Sequence, residues 1–146
     1  MTTDALAIRF AAAADRPAIK ALLEAAKLPA SDLVESGTVL LVAVDRGRIA
    51  GCVGIEPFGE CGLIRSLAVD PEVRGGGLAR ALVARAEALA AAGGIASLHL
   101  LTTDAVPFWE HLGWVRVPRE SVPDAVRGSR QFTGLCPASA VCMTRG

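Results

Sequence analysis

The heptapeptide Arg74-Gly75-Gly76-Gly77-Leu78-Ala79-Arg80 joins an apolar run that reads as a strand to one that reads as a helix. Glycine weakens both elements, so three in succession imply a backbone that must approach something closely. The first turn of a helix offers N–H groups without intrahelical partners and the positive end of the peptide dipoles. Strand, glycine-rich turn and helix together form a cradle for a phosphate or pyrophosphate. Two familiar cradles are excluded. A P-loop needs Gly-x-x-x-x-Gly-Lys-Ser/Thr, and the chain contains no Gly-Lys pair. A dinucleotide fingerprint needs Gly-x-Gly-x-x-Gly, and counted from Gly75 the third glycine is Arg80.

Other residues able to do chemistry are sparse. Arg65 is the one charge in the apolar run "GLIRSLAV"; it either holds an acceptor carboxylate by a bidentate contact or pairs with a neighbouring acid. Glu56 ends the run "GCVGIE" and is a candidate general base acting through water, or else a solvated carboxylate at a hairpin end; Glu60 is the alternative base. His99 alternates with Leu98 and Leu100 as a structural histidine, and His111 is expected on the surface. Cys52, Cys61, Cys136 and Cys142 have neither Cys-x-x-Cys spacing nor a zinc pattern with the histidines, so no metal is expected and the cysteines read as small buried residues.

The elements that must position these groups follow from periodicity. "ALAIRF" is a short strand; Asp15 is placed to cap a helix that begins at Arg16-Pro17 and carries Ile19, Leu22, Leu23 and Ala26 at helical spacing. "ASDLVES" can form a short second helix. "TVLLVAV", "GRIAGCVGIEP" and "CGLIRSLAV" are strands joined by tight turns, an antiparallel meander. A helix then runs from the glycines to about residue 92, with Leu78, Leu82, Ala86 and Leu89 on one face and Gly93-Gly94 as its stop. "ASLHLLT" is a strand, "DAVPFWEHL" a short helix, and "WVRV" and "SAVCMTR" the last strands. Residues 118–137 read as irregular with at most one helical turn.

The chain has 146 residues, the size of one domain, and is 52% hydrophobic and 4% aromatic with no tyrosine. A net charge of zero gives no footprint for nucleic acid or an anionic membrane. Lys20 and Lys27 are the only lysines, so the positive charge is nearly all arginine, which suits a small anionic ligand. No apolar stretch reads as a signal peptide or a membrane span, and the expectation is a soluble cytoplasmic protein.

The pattern Arg74-Gly75-Gly76-Gly77-Leu78-Ala79 resembles the Gln/Arg-x-x-Gly-x-Gly/Ala signature of the GNAT superfamily of N-acetyltransferases, and "SLAVDPEVRGGGLARALV" resembles that family's strand, turn and helix. "AVPFWEHLGW" is similar to a later family segment. The resemblance covers nearly the whole chain and implies a single GNAT domain over 1–146. It implies an α/β (mixed α+β) fold with a mostly antiparallel sheet of about six to seven strands and helices on both faces. "GLIRSLAV", "LLTTDA" and "FTGLCPASAVCM" further resemble acetyltransferases associated with arsenic-resistance operons.

By that resemblance, Leu67, Ala68 and Val69 receive the pantetheine arm of acetyl-CoA, the cosubstrate, and a bulge splays their strand from "ASLHLL". Residues Arg74, Gly75, Gly76, Gly77, Leu78, Ala79 and Arg80 hold its pyrophosphate; Arg80 can equally be a solvated helix residue. The Leu67 N–H is the catalytic oxyanion donor; the catalytic base nominated is Glu56, from its own place in the sequence and not from the family's pattern. Arg65 and Trp109 face the acceptor, a small amine such as an amino-acid-like arsenical or phosphinic compound. Two departures stand out: the family's tyrosine acid falls at Trp109, and a glutamate used by some relatives falls at Leu63. They motivate one alternative, a CoA-binding sensor without catalysis; the likeness to arsenic-resistance proteins motivates another, a metalloid-binding protein using Cys136 and Cys142. A homodimer is compatible with the resemblance, which implies no nucleic-acid or membrane partner.

Overall fold

The computed structural model describes residues 6–32, 37–73, 77–136 and 139–145. The opening strand β1 is Leu6–Phe10, and helix α1 is Arg16–Ala25. Strands β2 (Val39–Asp45), β3 (Arg48–Phe58) and β4 (Cys61–Val69) form the expected meander. Helix α2 (Leu78–Ala92) leads to β5 (Ser97–Thr102), α3 (Val106–His111) and the two-residue strand β6 (Val115–Arg116). A short α4 (Asp124–Arg127) and a π-helical turn over Gln131–Leu135 precede β7 (Val141–Arg145). Of the segment 118–137, residues 118–136 are described and are more regular than their lack of periodicity predicts.

Among the described residues the sheet has seven strands in the order β1-β2-β3-β4-β5-β7-β6. Only the β4–β5 pair is parallel; β7 inserts antiparallel between β5 and β6. Alternation along the strands divides the core between the two faces. Val53, Ile55, Ile64 and Met143 pack with Leu82, Val83 and Ala86 of α2 and Trp109 of α3. On the opposite face Val42, Cys52 and Ala68 pack against Ile19 and Leu23 of α1, and Leu63 and Cys142 against Val126 of α4. Helices therefore cover both faces.

Asp15 does precede α1, but its carboxylate does not cap that helix. It accepts hydrogen bonds from the Ala12 N–H at 2.7 Å and from both Arg9 terminal nitrogens at 2.7 and 3.1 Å. The expected short helix in "ASDLVES" falls partly outside the described residues, since 33–36 are not among them.

Candidate active site

The site is made by a mismatch between strands. Cys52 of β3 faces Ala68 of β4, and Gly54 faces Arg65, so Val53 alone spans Ser66 and Leu67. This two-against-one count is a β-bulge. Ser66 takes φ +60°, the left-handed region that costs a residue with a Cβ. Pairing of β4 with β5 stops earlier, at Leu63 opposite His99. Beyond that point the two parallel strands diverge, and a cleft passes through the sheet between them.

The cleft has two joined parts that share Ala26, Leu67 and Phe108. The first, about 650 Å³, is lined by Leu67, Ala68 and Val69 of β4 and by Gly77, Leu78, Ala79 and Arg80 at the start of α2. Gly77 sits at φ +81° immediately before the helix, a conformation that favours glycine. Arg80 is exposed on the helix and edges this part. Arg74, Gly75 and Gly76 lie outside the described residues.

The second part, about 740 Å³, is lined by Arg65, Ser66 and Leu67, by Lys27 and Ser31 after α1, and by Thr102, Trp109, Gln131 and Cys136. Trp109 is 5% exposed and stacks edge-to-face on Phe108 and Trp114, with ring centroids 5.2 Å away in each case. Its indole N–H is a donor with no acidity useful for protonating a thiolate. Gln131 accepts a hydrogen bond from the Cys136 thiol at 3.0 Å.

Behind this wall lies a buried charge cluster. The Arg65 side chain is fully buried and its two terminal nitrogens fork onto both oxygens of the equally buried Asp32, at 2.6 and 2.5 Å. Its Nε donates to Ser66 Oγ at 3.2 Å, and Nη1 also reaches Glu56 Oε1 at 3.3 Å. Of the two readings of Arg65, pairing with a neighbouring acid is the one the geometry takes: the fork offered to an acceptor carboxylate is filled by Asp32. Hydrogen bonds from Arg65 hold the Asp32 carboxyl below its ordinary range against the cost of burial. Glu56, 5% exposed, is no solvated hairpin carboxylate; burial pushes its pKa up, partly offset by Arg65. It does not itself line the cleft.

The remaining candidates separate from the site. Glu60 is exposed at the β3–β4 turn, and His111 is exposed at the end of α3. His99 is buried, with Nε2 3.3 Å from Ser97 Oγ and Nδ1 unpartnered, and burial lowers its pKa. Cys142 is buried beneath α4, and burial raises the pKa of both Cys142 and Cys136, which opposes a thiolate pair for a metalloid. Among the described residues no group of three or more His, Cys, Asp or Glu is placed to hold a metal, and no helix is long and apolar enough to cross a membrane. Sequence reasoning missed Asp32 and Gln131. Neither sits in a motif, and only the fold brings Gln131 to the cleft and Asp32 to Arg65 behind it.

Comparison with known proteins fits this geometry. The family model for the acetyltransferase (GNAT) domain matches residues 36–116, more than half of the chain. The chain belongs to the GNAT acetyltransferase family. This acetyltransferase is 29% identical over 143 residues to an uncharacterized N-acetyltransferase of Chlorobaculum tepidum, covering 92% of this chain and 90% of that protein. It is 36% identical over 81 residues to the amino-acid acetyltransferase of Ectopseudomonas mendocina, covering 54% of this chain but only 19% of that protein. In fold it matches N-acetylglutamate synthase from Neisseria gonorrhoeae, solved with coenzyme A and L-arginine. The TM-score there is 0.82 at 24% identity, over 96% of this chain and 32% of the synthase chain. The chain thus spans a third or less of these two larger proteins. It is an acyltransferase of GNAT type, with the mixed α/β fold of that family.

Proposed function

We propose that residues 1–146 form a single cytoplasmic N-acetyltransferase domain that uses acetyl-CoA to acetylate the amine of a small molecule by direct transfer. The observation that carries this reading is the opening between β4 and β5 at the Ser66 bulge, which joins a cleft edged by the start of α2 to a second cleft lined by polar groups. The first cleft fits the donor: the edge of Leu67–Val69 that is left without a partner toward β5, for an amide-bearing arm, and the start of α2 with Arg80 for a pyrophosphate. The second fits the acceptor. The solved synthase with coenzyme A supports the donor assignment.

Leu67 lines both parts, which supports the reading in which its N–H stabilises the oxyanion formed as the amine attacks the thioester. Glu56 takes the proton of the amine through water; burial raises its pKa, so its carboxylate is a stronger base than an exposed one. With Trp109 at the position of the family's tyrosine, the departing thiolate is protonated by water. Amino-acid-like amines, including those bearing a phosphinic or arsinic group, are the acceptors favoured by the likeness of "FTGLCPASAVCM" to acetyltransferases of arsenic-resistance operons. The test is release of free CoA from acetyl-CoA over an amine panel that includes these compounds, with CoA binding measured separately by calorimetry. Stimulated release by one amine class identifies the acceptor. CoA binding without any stimulated release makes the protein a sensor instead.

A further inference from the structure

The wall of the second cleft contributed by residues 26–31 has no strand or helix of its own to hold it. Helix α1 ends at Ala25, Lys27 takes φ +59°, and Leu28 N–H returns to the Leu23 carbonyl at 2.9 Å. From there the chain lines the cleft with Pro29 and Ser31 and arrives at Asp32, whose side chain is wholly buried. On the far side the bulge also needs support: Ser66 and Leu67 have no backbone register partner in β3, and what Ser66 receives from that strand is a thiol hydrogen bond, from Cys52 Sγ to its carbonyl at 3.3 Å. One side chain reaches both: the Arg65 fork holds Asp32 and its Nε holds Ser66 Oγ.

We propose that Asp32 and Arg65 form a brace that sets the distance between the acceptor wall and the bulge, making both positioning residues for acceptor binding. The brace rests on the acetyltransferase reading and deepens it. A planar guanidinium with a bidentate carboxylate fixes direction as well as distance, which a lysine at the same place does not. Both side chains are fully buried, so the pair is shielded from water and salt and holds its geometry. Because Asp32 fills the fork, a carboxylate on the acceptor is not held by Arg65. Recognition of the acceptor falls to groups that face the cleft, among them Lys27, Thr102 and Gln131.

The test uses three variants of the full chain: Arg65→Lys, which keeps the charge and loses the fork, Asp32→Asn, and Ser66→Ala, which removes only the tie to the bulge. The brace predicts an acceptor KM raised about tenfold or more in Arg65→Lys and Asp32→Asn, with the calorimetric Kd for CoA within about twofold of the parent. The KM rise is equal for amines with and without a carboxylate. A loss confined to carboxylate-bearing amines overturns the brace in favour of direct contact, and parallel losses in KM and CoA affinity overturn it in favour of a general packing role. Hydrogen exchange of the unliganded protein gives a readout free of any activity: in Ser66→Ala, amides of β4 that flank the bulge and pair with β3, within 63–65 and 68–69, lose protection, and in Asp32→Asn those at 26–31 lose it. Unchanged protection at 26–31 in Asp32→Asn rules the brace out. Failure of the acetyltransferase reading shows separately, as a parent protein that neither binds CoA nor releases it with any amine.

Discussion

Leu63 of β4 lies opposite His99 of β5, and it is the last β4 residue with a partner on that side. Three residues further on, Ser66 holds the left-handed conformation that lets two residues of β4 stand against Val53. The end of one pairing and the bulge in the other leave the edge of β4 from Ile64 to Val69 free toward β5, and the cleft follows from that. A sheet that stayed zipped has no room for a ligand arm between its central strands.

Ser66→Val tests the bulge directly. A β-branched side chain is poorly tolerated at φ +60°, so the variant is expected to lose about 1–3 kcal/mol of stability. Urea unfolding measures the loss. CoA affinity should fall along with it, because the strand that presents Leu67 is displaced.

Glu56→Gln removes the base proposed for the amine. Burial raises the Glu56 pKa, so only the ionised form that accumulates above the ordinary carboxylate range can accept a proton. In the parent enzyme kcat/KM for the acceptor should therefore climb with pH on an acidic limb displaced upward. The variant should lose that limb and about 100-fold or more in kcat. A pH profile with the limb retained assigns the proton to another group.

Gly77→Ala places a Cβ at φ +81°, where none of the described residues lies within 4 Å, so the cost is conformational. About 1–2 kcal/mol of stability should be lost. The N–H groups at the start of α2 shift with the backbone, and the Kd for CoA measured by calorimetry should rise severalfold.

Asp15→Asn probes the clamp between β1 and α1. Hydrogen bonds from Arg9 and then from the Ala12 N–H lower the Asp15 pKa from 3.8 to about 2. A carboxylate depressed on folding stabilises the native state above its unfolded pKa, and the gain disappears as pH falls through the folded value. Parent and variant should therefore differ in melting temperature at neutral pH and converge near pH 2.

Local chemistry was legible in the residues themselves. "CGLIRSLAV" reads as a strand because its apolar residues can be buried on both faces. Gly77 and Gly94 mark the ends of α2 because their positive φ angles favour glycine. Leu78, Leu82 and Ala86 mark its inner face by spacing alone. From these the meander, the helix after the glycines and the likeness to acetyltransferases all follow. The three short helical segments between Arg119 and Leu135 were not legible, since none is long enough to show a period.

Tertiary structure decided the rest. The bulge belongs to the register between β3 and β4, so nothing in "RSLAV" marks Ser66 as left-handed. β7 enters between β5 and β6, an order that hydrophobic alternation cannot distinguish from its neighbours. Above all, Arg65 read alone is a charge available to an acceptor, and it is Asp32, 33 residues earlier in the chain, that takes its fork. Sequence periodicity reports how each segment meets water; which charge meets which in the interior is set only when the segments pack together.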